Sequence, residues 1–256
     1  MVLQCLLWPT CGADSLQVCA VLSMGSASVL AFSIPPRQVP APAPAAAVPL
    51  RIMSLGASVT FGTGSTTGNS YRKDLQDLLV AQGMSVAFVG SKSNGDFTDN
   101  AVEATPGFKI NQIAAAADKA VPLLKPNLVL VDAGTNNCNK GGKIPDAGAN
   151  VTAMINKIYE QSPGSTVILT SVLANKIAKQ DECRVDINQQ YAALATQFQQ
   201  SGAKFAFVDM RSPDAPGLND LNDTRHPNDG GYVKMANVWA QGIGEVVSKG
   251  FITAPV

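Results

Sequence analysis

The chain has 256 residues, of which 46% are hydrophobic and 15% charged, and its 19 basic side chains balance 19 acidic ones. No charge excess favours nucleic acid or an anionic membrane surface, and with 6% aromatic residues no stacking platform for single strands is evident. The roughly 200 residues beyond the N-terminal segment suffice for one well-buried domain.

The first 48 residues differ from the rest. Val18 to Phe32 is mostly apolar and small, with Ser26-Ala27-Ser28 as a cleavage context. Residues 1–34 therefore read as a secretory leader, although the first basic residue is Arg37 and Asp14 lies upstream of the apolar run. Serine and glycine interrupt that run, which falls short of the ~20 residues of a membrane span. Residues 35–48 (PPRQVPAPAPAAAV) are Pro/Ala-rich, cannot build a core and read as an extended linker. The expectation is a secreted, extracellular protein whose folded part is residues 49–256.

Within that part, strand and helix signals alternate. Apolar runs at Leu50–Leu55, Ser85–Val89, Leu128–Val131, Thr166–Leu169 and Lys204–Val208 predict strands. Tyr71, Leu75, Leu78 and Leu79 form a helical stripe that Gly83 closes, and a further helix begins near Ile110. Ile187, Tyr191, Leu194 and Phe198 form another stripe, and Tyr232, Met235, Trp239, Ile243 and Val246 a closing helix. Strands alternating with helices imply crossovers and a parallel sheet covered on both faces. The predicted fold is a flavodoxin-like three-layer α/β/α sandwich on a five-stranded parallel sheet. Sites in such sheets form beyond the carboxyl ends of the strands.

Several segments at those ends carry chemistry. Gly56-Ala57-Ser58 follows the first strand, exposing a serine hydroxyl on a tight turn, and the residue two beyond it is Thr60, so this is not a GxSxG elbow. Gly107, in Thr105-Pro106-Gly107-Phe108, can present a backbone N–H where a side chain would block approach. Asn136, in Gly134-Thr135-Asn136-Asn137, offers a non-titrating amide to developing negative charge. The chain's one histidine lies in Asp223-Thr224-Arg225-His226-Pro227. A neutral imidazole can take a serine proton while a carboxylate fixes its tautomer. Each motif alone has an ordinary explanation as a turn or cap; jointly they point to nucleophilic acyl transfer.

Of five cysteines, Cys5, Cys11 and Cys19 lie in the leader. Cys138 and Cys183 are expected in loops after strands at one end of the sheet, as one disulfide or as two free thiols. Sequons occur at Asn150 and Asn222, the second beside the proposed acid and so disfavoured for a glycan. One histidine and two cysteines in separate loops do not assemble a catalytic zinc site, so no metal and no cofactor is expected.

From about Leu50 to Val247 the chain resembles the SGNH (GDSL-type) hydrolases, most closely the small secreted fungal and bacterial group that contains acetyl-xylan esterases. The resemblance is carried by Ile52-Met-Ser-Leu-Gly-Ala-Ser-Val-Thr, Val89-Gly-Ser, Pro106-Gly-Phe-Lys-Ile-Asn-Gln-Ile113, Asn127-Leu-Val-Leu-Val-Asp-Ala-Gly-Thr-Asn136 and His226-Pro-Asn-Asp-Gly-Gly-Tyr-Val-Lys-Met-Ala236. It implies Ser58 as nucleophile, His226 as base and Asp223 as orienting acid. The oxyanion hole it implies comprises the N–H of Ser58, the N–H of Gly107 and the Asn136 side chain. Three positions depart from the family pattern: Ala57 replaces the usual aspartate, Asn137 another aspartate, and Thr105 a histidine. None removes an implied catalytic role. The implied activity is hydrolysis of short-chain (acetyl) esters through an acyl-serine intermediate, deacetylating plant cell-wall polysaccharide such as xylan or acting on another small ester, by a monomer that needs neither nucleic acid nor membrane. A lipase, lysophospholipase or thioesterase on longer acyl chains, and a non-catalytic carbohydrate-binding protein of the same fold, are the alternatives.

Overall fold

A computed structural model describes residues 48–254; the expected leader and the linker up to residue 47 lie outside the described residues. The described chain runs β1 (Leu50–Gly56), α1 (Ser58–Phe61), α2 (Arg72–Ala81), β2 (Val86–Val89), β3 (Lys92–Ser93), β4 (Ala101–Ala104), α3 (Ile110–Leu124), β5 (Leu128–Val131), α4 (Ala147–Gln161), β6 (Thr166–Thr170), α5 (Ala178–Gln200), β7 (Phe205–Val208) and α6 (Asp229–Ser248). Five strands are parallel in the order β2-β1-β5-β6-β7, the flavodoxin-like arrangement expected.

Successive strand residues point to opposite faces, and both faces are apolar. Met53, Leu55, Val129, Val131, Val167 and Leu169 pack with residues of α3, α4 and α5 in one core. Ile52, Leu128, Leu130 and Ile168 pack with α2 and α6 in the other. This is why the strands read as continuous apolar runs rather than alternating ones. The stripe on α2 is as predicted for Tyr71, Leu75 and Leu79, while Leu78 is half-buried.

The sheet is larger than the predicted five strands. It has seven: β3 and β4 form a short antiparallel pair, and β4 runs parallel to the last residues of β1, Leu55 opposite Glu103 and Gly56 opposite Ala104. Arg72, fully buried, pins this hairpin to α2. Its guanidinium donates to the carbonyls of Asn100 at 2.7 Å and Asn94 at 2.6 Å, and lies over the Phe97 ring. The consequence is positional, because β4 delivers Thr105–Gly107 to the carboxyl end of β1.

Cys138 and Cys183 are joined by a disulfide. Cys183 is not in a loop as expected but in the second turn of α5, and Cys138 ends a 3-10 turn at Thr135–Cys138. The bond closes 45 residues of sequence, worth about 4 kcal/mol if denatured-state loop entropy alone counts. It anchors to α5 the turn that carries Asn136.

Candidate active site

Ser58 sits at the first position of α1, a one-turn helix immediately after β1 rather than an open loop. Gly56 makes this possible: a Cβ there would collide with the Thr60 side chain and come within 2.9 Å of the Asp132 carbonyl, so only glycine lets the turn fold back over the strand end. As a first-turn group, the N–H of Ser58 has no acceptor within its own helix.

The histidine comes from the loop before α6. Asn222 N–H donates to the His226 carbonyl at 2.8 Å, Asn228 N–H to the Asp220 carbonyl at 2.8 Å, and Leu221 bridges to Pro227. At the bend, Asp223 Oδ1 accepts the backbone N–H groups of Arg225 at 2.7 Å and His226 at 2.8 Å. Asp223 Oδ2 then meets His226 Nδ1 at 2.7 Å, and His226 Nε2 meets Ser58 Oγ at 2.9 Å. Ser58, His226 and Asp223 thus form an unbroken hydrogen-bonded relay across 168 residues of sequence. Desolvation works against the Asp223 carboxylate, but the imidazole of His226 and the two backbone N–H donors outweigh it and hold the group down to about 2. It is therefore anionic throughout the neutral range, a charged acceptor for an imidazole N–H.

Asn136 lies in the 3-10 turn that follows β5, and its Nδ2 donates to the Phe108 carbonyl at 2.9 Å. That bond joins its turn to the segment bearing Gly107. Asn137 Oδ1 accepts the Ile110 N–H at 3.1 Å, a second tie between the same two segments. Gly107 has φ +86°, and a Cβ there would meet no protein atom within 4 Å. Backbone conformation therefore requires glycine at this point, not crowding by the protein.

Five contributors, Thr60, Asp132, Gly64, Arg225 and Asn139, are not singled out by their sequence context. Thr60 Oγ1 donates to Asp132 Oδ2 at 3.2 Å behind Ser58. Gly64 lies against the loop of His226, where a Cβ would approach His226 Cβ to 3.1 Å and the Pro227 carbonyl to 2.5 Å. Arg225 Nη1 donates to Asn139 Oδ1 at 2.6 Å, and Asn139 Nδ2 to Asn136 Oδ1 at 3.4 Å, so the histidine loop is bonded to the asparagine turn. Each tie crosses 70 or more residues except the last. The only sequence signal is the density of polar residues just after strand ends.

Asp132 has a measurable signature. Its side chain is buried at 5% exposure, and Thr60 is its one hydrogen-bond donor among the described residues. Burial pushes the carboxyl up to about 6, against the opposing influences of Thr60 and Arg184. A raised carboxyl destabilises: below an unfolded value of ~3.9 both states are protonated, and above it the unfolded chain releases its proton first. Unfolding free energy should carry a loss of roughly 3 kcal/mol that accrues between about pH 4 and 6 and is constant above. Urea melts across that window should show the Asp132→Asn variant gaining on the native protein as pH rises. Parallel curves for the two would contradict the reading.

Among the described residues, no helix is long and apolar enough to cross a membrane, and no three His, Cys, Asp or Glu side chains group as metal ligands.

Comparison with known proteins gives a consistent picture. A sequence model of the GDSL-like Lipase/Acylhydrolase family matches residues 54–234. A search of curated proteins finds no match. Among solved structures, a Clostridium thermocellum family 3 carbohydrate esterase superposes with TM-score 0.66 at 24% identity, over 78% of this chain and 98% of that one. A family 3 carbohydrate esterase from Talaromyces cellulolyticus gives TM-score 0.67 at 22% identity, over 78% and 99%. An acetyl xylan esterase from Geobacillus stearothermophilus gives 0.56 at 16%, over 77% and 95%. At these identities the structural likeness establishes a shared fold.

Proposed function

The chain belongs to the GDSL-like Lipase/Acylhydrolase family, and on that premise we propose that it is a serine esterase that removes acetyl and other short acyl groups, with acetylated plant cell-wall polysaccharide such as xylan as its substrate. The observation that carries this reading is the Ser58–His226–Asp223 relay, at 2.9 and 2.7 Å. Ester carbonyls need a nucleophile, a base and oxyanion donors; the relay supplies the first two, and Gly107 and Asn136, which follow β4 and β5, are the groups we assign to the third.

The steps follow from the geometry. His226 Nε2 takes the Ser58 proton as Oγ bonds to the ester carbonyl carbon. The carbonyl oxygen becomes an oxyanion facing the N–H of Ser58, the N–H of Gly107 and the Asn136 amide. Asp223 stabilises the imidazolium, which passes the proton to the leaving sugar oxygen as the C–O bond breaks, so that the sugar departs with a free hydroxyl. Water then attacks the acyl-serine, His226 again acting as base, and acetate leaves as Ser58 regains its proton.

Asn136→Ala should lower kcat by about 10²–10³ with little change in KM, because the donor acts on charge present only in the transition state. Steady-state kinetics beside circular dichroism check this; a variant within threefold of native turnover would remove Asn136 from the oxyanion hole.

Short acyl groups and a polymeric alcohol are favoured by an open site: the Asp223 side chain is 49% exposed and that of His226 14%. The likeness in fold to carbohydrate esterases supports the same choice. One feature favours longer acyl chains instead. An apolar cavity of about 560 Å³ lies along α3, lined by Phe108, Ala116, Ala120 and Leu123 among others, and Phe108 adjoins Gly107. Acetate release from acetylated xylan, measured beside p-nitrophenyl acetate and p-nitrophenyl decanoate, separates the two. Our reading expects release from xylan and acetate preferred over decanoate; the reverse preference would assign the cavity to an acyl chain and the protein to lipid or thioester substrates.

A further inference from the structure

The molecule has no net charge, yet one side of the Ser58–His226 site is strongly basic. Three segments form it: 138–143 with Lys140 and Lys143, 174–179 with Lys176 and, in the first turn of α5, Lys179, and 222–226 with Arg225. The single acid in these segments is Asp223, which is engaged by His226.

The segments are knitted together. Lys176 N–H donates to the Thr224 carbonyl at 2.9 Å, and Lys176 Nζ to the Leu221 carbonyl at 3.2 Å. Arg225 is held by Asn139, whose carbonyl in turn accepts Gln180 Nε2 at 2.8 Å. Lys143 and Lys179 line a cavity together with Glu182 and Asp186, so two acids share their surroundings. Lys140, Lys176 and Arg225 have no such compensation: among the described residues no carboxylate lies within 4.0 Å of any of them. Beneath the rim lies a further cation. Arg184 is fully buried, donates Nη1 to the carbonyls of Leu173 and Ala174, and has no partner for Nε or Nη2. Burial first, and then the positive charge of Arg225, lowers its guanidinium to about 10. Asp181 and Asp132 act on Arg184 in the opposite sense, so the uncompensated charge of the rim is that of Lys140, Lys176 and Arg225, and Arg225, pre-positioned by Asn139, presents a planar donor fork suited to a carboxylate.

We propose that Arg225 and Lys176 bind a carboxylate of the substrate, so that the preferred ester lies on an acidic, uronate-bearing glycan rather than a neutral one. This rests on the deacetylase reading above and specifies its substrate class.

The test uses two acetylated xylo-oligosaccharides that differ by one glucuronate substituent, with p-nitrophenyl acetate as a third substrate. The native protein should show kcat/KM about 5–10-fold higher on the acidic oligosaccharide, what one or two partly exposed charge pairs supply. The difference should lie in KM and fade toward unity in 0.5 M NaCl, where exposed charges are screened. The double variant R225Q/K176Q should bring the ratio near one, while Lys249→Gln, at the far end of α6, should leave it unchanged. Because the ratio is read, any general loss of turnover through the Asn139 link cancels. Equal rates on the two oligosaccharides, preference for the neutral one, or a preference that survives R225Q/K176Q would overturn the proposal. Refusal of both oligosaccharides with p-nitrophenyl acetate still hydrolysed would instead overturn the polysaccharide reading, and the proposal with it.

Discussion

Ser58→Ala is expected to lose ester hydrolysis almost completely, with kcat down on the order of 10⁶, while the protein stays folded. The size follows from the mechanism: without Oγ there is no acyl-enzyme, and water must attack an ester held only by the oxyanion donors. Those donors remain, so a residual rate above the uncatalysed reaction should persist. The fold should tolerate the change, since Ser58 is 6% exposed, alanine is smaller, and the carbonyl that accepts the Gly62 N–H is untouched. Single-turnover kinetics with p-nitrophenyl acetate give the comparison. Retained multiple turnover within tenfold of native would mean that another group is the nucleophile.

Asp223→Asn should cost kcat about 10⁴, by the logic of triad carboxylates. The amide can place an N–H opposite His226 Nδ1, and the proton is then driven to Nε2, where it cannot accept one from Ser58. The loop should survive, because an asparagine oxygen still accepts the N–H groups of Arg225 and His226 that Asp223 Oδ1 now takes. There is a stability counterpart. The carboxyl is held near 2, below its unfolded value, so its stabilising contribution is present above ~3.9 and disappears as pH falls through about 2. In Asp223→Asn that acid-limb dependence should be absent. A variant with near-native turnover would show that Asp223 does not orient the imidazole.

Much of the frame was legible because its physics is local. Strands buried on both faces must be apolar throughout, so β1, β5 and β6 announce themselves. β3 and β4 do not, because Lys92-Ser93 is short and polar and Ala101–Ala104 carries Glu103 rather than an unbroken apolar run, and their pairing depends on Arg72 reaching Asn94 and Asn100. The stripe of α5 was visible from Ile187 onward, but its start at Ala178 follows Ile177, which offers no side-chain cap. The sequence therefore predicts a loop at Cys183, where the structure has helix. Ser58, Gly107 and Asn136 are marked by glycines in turns after strands, and Asp223 and His226 by the chain's one histidine, signals that need no contact information. The Thr60–Asp132 bond, the Arg225–Asn139 bond and the close seat of Gly64 on the histidine loop span 72 residues or more, and no local pattern encodes them. The basic rim was countable loop by loop, but only the fold shows that three separate segments share one side of the site.

The central claim is that Ser58 is the nucleophile of a serine esterase. Its most direct test is titration with a serine-directed phosphonate, followed by intact-mass and peptide analysis. The account predicts one covalent adduct per chain, on the peptide containing Ser58, formed in step with loss of p-nitrophenyl acetate hydrolysis and absent from Ser58→Ala. An adduct on another residue that tracks the loss of activity, or full activity in the fully labelled protein, would contradict it.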